Sequence, residues 1–219
     1  MRFGSDIKGV IFDIDGVLLD SMSIWLDLGV RYLLSIGKLP EEGLSKTLFS
    51  MSMEQGAEYL KENYAIEEST EEIGEDLQKM LRDFYFEEVR AKNGAEEMLK
   101  RLSQEKIRIM AATSSPRELV ERALGRNGLL SYIERIFTSS EVGSSKHSPE
   151  IYDAACACME LERAEVCVIE DSLYALKTAQ EAGYYTVGMY DEKGESDQAG
   201  LREMAGLYIQ DLGELLKYI

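Results

Sequence analysis

The chain has 219 residues, 45% of them hydrophobic, with Lys+Arg 24 against Asp+Glu 41 and a formal net charge of −17. That length suits one ordinary domain, or a core plus a smaller insert, and the charge argues against nucleic acid or an anionic membrane as partner. No apolar run approaches the ~20 residues of a membrane span, Met1 to Lys8 lacks a signal-peptide core, and three cysteines fit a reducing compartment, so a cytoplasmic protein, monomer or weak dimer, is expected.

The first apolar run, Gly9–Ile14, is continuous rather than alternating, as in a strand buried on both faces. It ends in Asp13 and Asp15, one residue apart, and Gly16 offers a sharp turn. Residues 20–90 then lack strand-like runs. Trp25–Ile36, Leu44–Phe49, Met53–Tyr64 and Glu71–Val89 carry apolar residues at helical spacing, as in Leu77, Met80, Leu81 and Phe84. Beyond them, strand-like runs alternate with helical ones. The strands are Ile107–Ala112, Ile136–Thr138, Val166–Ile169, Tyr185–Gly188 and Leu207–Ile209. The helices are Ala95–Gln104, Arg117–Arg126, Pro149–Cys158 and Leu173–Ala182, with a closing helix at Leu212–Tyr218. This alternation predicts βαβ units, hence an α/β fold with a parallel sheet covered on both faces. The expected division is a core of residues 1–19 and 91–219 with a helical insert, 20–90, after the first strand.

The chemistry-bearing residues follow strand ends, where ligands bind in open α/β sheets. Asp13 and Asp15 follow the first strand, Thr113, Ser114 and Ser115 the second, Lys146 the third, and Glu170-Asp171 the fourth. The carboxylates are hard oxygen ligands suited to Mg²⁺. Thr113 brings a hydroxyl, Ser114 and Ser115 precede a helix whose free N–H groups can meet an anion, and Lys146 adds a point charge suited to phosphate. His147 is the only histidine, which excludes a Ser-His-Asp triad or a histidine-based zinc site. Cys156 and Cys158, two apart on a helix, cannot easily clip one ion. The remaining candidate nucleophile is a carboxylate, which can form an aspartyl phosphate.

With Asp13-Ile14-Asp15-Gly16-Val17-Leu18, Thr113, Lys146 and Glu170-Asp171-Ser172 in that order, the chain resembles the haloacid dehalogenase superfamily over nearly its whole length. The insert falls where the subfamily of β-phosphoglucomutase and phosphoglycolate phosphatase carries its cap. The resemblance implies a Rossmann-like parallel sheet with a helical cap after the first strand. It also implies a Mg²⁺-dependent phosphatase acting on a small phosphorylated metabolite. In that reading Asp13 attacks phosphorus and Asp15 serves as acid and then base. Asp13, the Asp15 backbone carbonyl, Asp171 and Glu170 (direct or through water) hold the metal; Thr113, a following backbone N–H (Ser114) and Lys146 hold the phosphoryl oxygens. Two alternatives are a sugar phosphomutase and a non-enzymatic phospho-acceptor protein. The mutase branch usually carries a histidine where this chain has Trp25 and a cap arginine where it has Met53. Receiver-type acceptors are shorter and lack a comparable insert.

Overall fold

The computed structural model describes residues 6–49 and 51–219. In chain order, β1 (Gly9–Phe12) precedes four helices: α1 (Met22–Ser35), α2 (Leu44–Phe49), α3 (Met53–Tyr64) and α4 (Thr70–Asp83). There follow α5 (Ala95–Gln104), β2 (Arg108–Thr113), α6 (Arg117–Arg126), β3 (Arg135–Thr138), α7 (Ser139–Val142) and α8 (Glu150–Cys158). The chain closes with β4 (Val166–Glu170), α9 (Leu173–Glu181), β5 (Tyr185–Met189), α10 (Gln198–Met204) and β6 (Leu207–Ile209). It divides into two compact units: an α/β unit up to Asp20 and from Arg90 onward, and a helical unit, Ser21–Val89.

The α/β unit is built on a six-stranded sheet of order β3-β2-β1-β4-β5-β6 with every pair parallel. This is the parallel α/β sheet that the alternating runs predict, in the Rossmann-like form that the resemblance implies. Val10, Ile11 and Phe12 are fully buried, because the central strand has neighbours on both sides and helices over both faces. On one face, Ile11, Met110, Ala112, Val166 and Val168 pack with Ile151, Tyr152, Ala155, Cys156 and Met159 of the α8 segment. Packing is close: a Cβ at Gly9 would fall 2.6 Å from the Met159 sulfur. The order of connection reverses beside β1, with β2 on one side and β4 on the other. That makes the C-terminal ends of β1, β2 and β4 the crevice of the sheet.

Local differences from the sequence reading have simple causes. The first strand stops at Phe12, although the Asp13 N–H still bonds the Ile169 carbonyl at 2.9 Å. The chain then turns, with Gly16 at φ 83° and its N–H on the Leu19 carbonyl. Pro149 is the N-cap of α8 rather than its first helical residue. The closing segment Leu212–Tyr218 is 3₁₀ rather than α-helical, and the short helices α7 and α10 carry no long apolar stripe in sequence. Gly183, at φ 96°, follows α9.

Within the helical unit, Ile24, Leu28, Tyr32, Leu33, Leu60, Ile73, Leu77 and Leu81 are buried. α3 and α4 each open on a reciprocal cap, Ser52 with Gln55 and Ser69 with Glu72; each satisfies two backbone donors and fixes a helix start. A π-turn at Phe84–Glu88 ends the unit, and the Trp25 indole N–H donates to the Tyr85 hydroxyl at 3.2 Å. Among the described residues, no helix is long and apolar enough to cross a membrane.

Candidate active site

Five buried polar residues of the α/β unit lie at or just beyond the crevice end of the sheet. Asp13 follows β1, Thr113 ends β2, Glu170 ends β4 and Asp171 follows it. All are buried, as is Lys146 from the loop between α7 and α8. One carboxylate oxygen from each of Asp13, Glu170 and Asp171 lies within 4.8 Å of the others. The Lys146 ammonium donates to Asp13 Oδ1 at 2.5 Å and to Glu170 Oε1 at 2.8 Å. Glu170 also accepts the Tyr152 hydroxyl at 2.8 Å and the Ser172 hydroxyl at 3.3 Å. Residues 133 apart in sequence thus share one small buried volume.

Asp15 stands apart from that triad of acids. Its Oδ2 accepts the Ser115 hydroxyl at 2.7 Å and the Thr113 hydroxyl at 3.4 Å. Thr113 Oγ1 in turn accepts the Ser115 N–H at 3.0 Å. The segment after β2 therefore holds Asp15 by two hydroxyls. Ser114 points elsewhere: its hydroxyl meets that of Ser139 at 3.3 Å in an exposed position. Sequence reading treats Ser115 only as part of a helix start, whereas its side chain is the closer partner of Asp15. The sequence offers no reason to single out Tyr152. Nothing in an apolar helix marks one tyrosine for a carboxylate until α8 has docked with its register set.

The electrostatics follow from burial. Three carboxylates face one ammonium. Burial first, then Glu170 and Asp15, push the Asp13 carboxyl up to about 8 against the opposing pull of Lys146. Burial, Asp13 and Glu170 likewise hold Asp171 well above the usual carboxylate range. Burial opposes charge on Lys146, but Asp13 and Glu170 outweigh it and hold the ammonium above its ordinary range. If every group is ionised, the cluster carries three negative charges and one positive, with little exposure to water. A divalent cation restores the balance, and three hard oxygens at this spacing are the donor set that such an ion takes. The residues present therefore fit a divalent metal; chemically the site can pair a carboxylate nucleophile with a cation and an anion-holding lysine.

The three cysteines, Cys156, Cys158 and Cys167, are free thiols, and burial pushes those of Cys156 and Cys167 above the usual range. They are packing residues, in keeping with their helix and strand positions.

A family model described as haloacid dehalogenase-like hydrolase matches residues 10–189. A phosphorylated carbohydrates phosphatase from Thermotoga maritima is 29% identical over 178 residues, 81% of this chain and 82% of the relative. Validoxylamine A 7'-phosphate phosphatase from Streptomyces hygroscopicus subsp. limoneus is 32% identical over 123 residues, 56% of each chain. A crystal structure from Thermotoga maritima, provisionally named a beta-phosphoglucomutase, superposes with a TM-score of 0.85 at 25% identity, covering 96% of this chain and 97% of the other. With the match running from Val10 of β1 through β5 and taking in every strand-end residue described above, the chain belongs to the haloacid dehalogenase-like hydrolases.

Proposed function

We propose that this chain is a Mg²⁺-dependent phosphatase that hydrolyses a small phosphorylated metabolite through a phosphoaspartyl intermediate on Asp13. The observation that carries the reading is the buried convergence of Asp13, Glu170 and Asp171 on Lys146. The names of the phosphatase relatives support the reaction class.

The carboxylates of Asp13, Asp171 and Glu170, with the Asp15 backbone carbonyl, would hold the metal, and a bound Mg²⁺ supplies the charge neutralisation that lets one anion approach another. Asp13 attacks phosphorus as the bond to the leaving oxygen breaks, and the Asp15 carboxyl gives that oxygen a proton. Asp15, now a carboxylate, takes a proton from water. The resulting oxygen bonds phosphorus, the Asp13–phosphorus bond breaks, and inorganic phosphate leaves. Lys146 and Thr113 hold phosphoryl oxygens through both steps, so catalysis is mostly positioning and charge complementarity. Ser115 and Thr113 orient Asp15, while Tyr152 and Ser172 fix the Glu170 carboxylate. We assign the helical unit, inserted between β1 and α5, the role of a cap that selects substrate and excludes water.

Phosphate release from a panel of phosphorylated sugars, phosphoglycolate, nucleotides and pyrophosphate tests this reading. Steady release that stops with EDTA and returns with Mg²⁺ is the expected result. Activity indifferent to chelation contradicts the metal assignment, a trapped bisphosphate product points to a mutase, and one phosphate taken up without turnover points to a phospho-acceptor protein.

A further inference from the structure

We propose that the loop after β5, Asp191–Glu195, is a strap that sets the position of the Asp171 carboxylate, with Lys92 and Asp191 as its positioning residues; this rests on the cation reading of Asp13 and Asp171. Asp191 is 2% exposed, and its Oδ2 meets the Lys92 ammonium at 2.5 Å. Its Oδ1 accepts the Lys193 N–H at 2.7 Å, which folds the loop back on itself. The loop then passes tightly over Asp171. A Cβ at Gly194 would fall 2.7 Å from Asp171 Oδ2, a carboxylate oxygen, and 3.2 Å from the Asp191 Cβ. At the loop's far end, Glu195 Oε2 accepts the N–H of Leu173, the first residue of α9. The strap is therefore pinned on both sides of the Asp171 segment.

The other anchor reaches the nucleophile strand. Lys92 lies where the chain re-enters the α/β unit, and its N–H donates to the Leu18 carbonyl at 2.9 Å, a few residues past Asp13. Leu19 and Ala91 form an antiparallel bridge beside it, and the Asp20 N–H bonds the Arg90 carbonyl at 2.8 Å. A continuous path thus runs from the end of β1 through Lys92 and Asp191 to Gly194 and Asp171. Two of the acids that would share one ion are braced against each other from outside the site. An anchor made only for stability would not add a buried carboxylate beside an already anionic cluster. Lys92 neutralises that carboxylate, so Asp191 can hold the loop without competing for the cation. Outer residues of this kind commonly govern metal affinity as strongly as some ligands do.

The test is thermal melting of the full chain against Mg²⁺ concentration, with kcat and KM measured beside it. Gly194→Ala should raise the Mg²⁺ concentration for half-maximal stabilisation ~10-fold or more and lower kcat more than KM, while the cation-free melting temperature moves little. Lys92→Arg should keep wild-type affinity. The double variant Lys92→Met with Asp191→Met should fold without the buried ion pair and bind Mg²⁺ as weakly as Gly194→Ala. A wild-type chain that Mg²⁺ does not stabilise overturns the cation reading and the strap with it. Wild-type stabilisation with unchanged Mg²⁺ midpoints in Gly194→Ala and in the double variant overturns the strap alone.

Discussion

Lys146 and Arg117 each hold two carboxylates with bonds of 2.5–2.8 Å, and both do so in the α/β unit. Arg117 sits at the start of α6, its side chain 35% exposed, and grips Glu141 and Glu121, which are 47% and 43% exposed. It also donates to the Ile136 carbonyl, tying α6 to β3. Lys146 is 4% exposed, with Asp13 and Glu170 at 9% and 0%. Both clusters carry more negative than positive charge. Around Arg117 water screens the excess, so the network adds little beyond its geometry. Around Lys146 burial leaves little screening, and the excess is met by protons or a cation. Bond length does not separate structural ion pairs from a candidate reaction centre. Burial and uncompensated charge do.

The largest expected effect sharpens the buried side of that contrast. Asp13→Asn keeps the shape of the side chain but removes the nucleophilic oxygen charge. Phosphate release should fall to background while the variant still folds, and normal turnover would end the nucleophile assignment. Lys146→Ala comes next. Loss of one transition-state donor of this kind costs about 10²-fold or more in rate, and an initial-rate assay at saturating Mg²⁺ reads it directly. A change under threefold would place Lys146 among the structural pairs, with Arg117.

How far these residues were legible in sequence tracks the range of the interaction that fixes them. The apolar runs at Val10–Phe12, Ile109–Ala112 and Val166–Ile169 mark strands because each is buried on both faces, a property written locally. Strand ends then locate Asp13, Thr113, Lys146, Glu170 and Asp171; the structure brings Asp13, Lys146, Glu170 and Asp171 together and sets Thr113 on Asp15. The orientation of side chains within one turn is not local in that sense. Ser114 and Ser115 look interchangeable in sequence, yet one faces Ser139 and the other Asp15. Pairs such as Lys92 with Asp191, 99 residues apart, depend on how linkers and loops pack after the sheet forms. In the helical unit the amphipathic stripes were readable, whereas the bond between Trp25 and Tyr85 spans 60 residues and leaves no periodic trace.

The smallest expected effect tests the exposed side. Hydrogen bonds from Arg117, opposed by slight desolvation and assisted by Thr138, hold the Glu141 carboxyl down at about 2, against an ordinary value of 4.5. A carboxyl lowered by folding stabilises the native state above its unfolded value and loses that contribution as pH falls toward the folded one. Glu141→Gln should therefore lower the melting temperature slightly at pH 7, with a loss of about 0.5 kcal/mol after allowance for solvent screening. The gap from wild type should narrow steadily between about pH 5 and pH 2. Taking the difference between the two proteins cancels the titration of the other carboxylates, so the narrowing reports this pair alone. High salt should shrink the gap at pH 7 as well, because water and ions reach the pair. A gap of several kcal/mol that salt does not touch would mean that the Arg117 fork behaves like a buried pair, and exposure would then no longer separate it from the Lys146 centre.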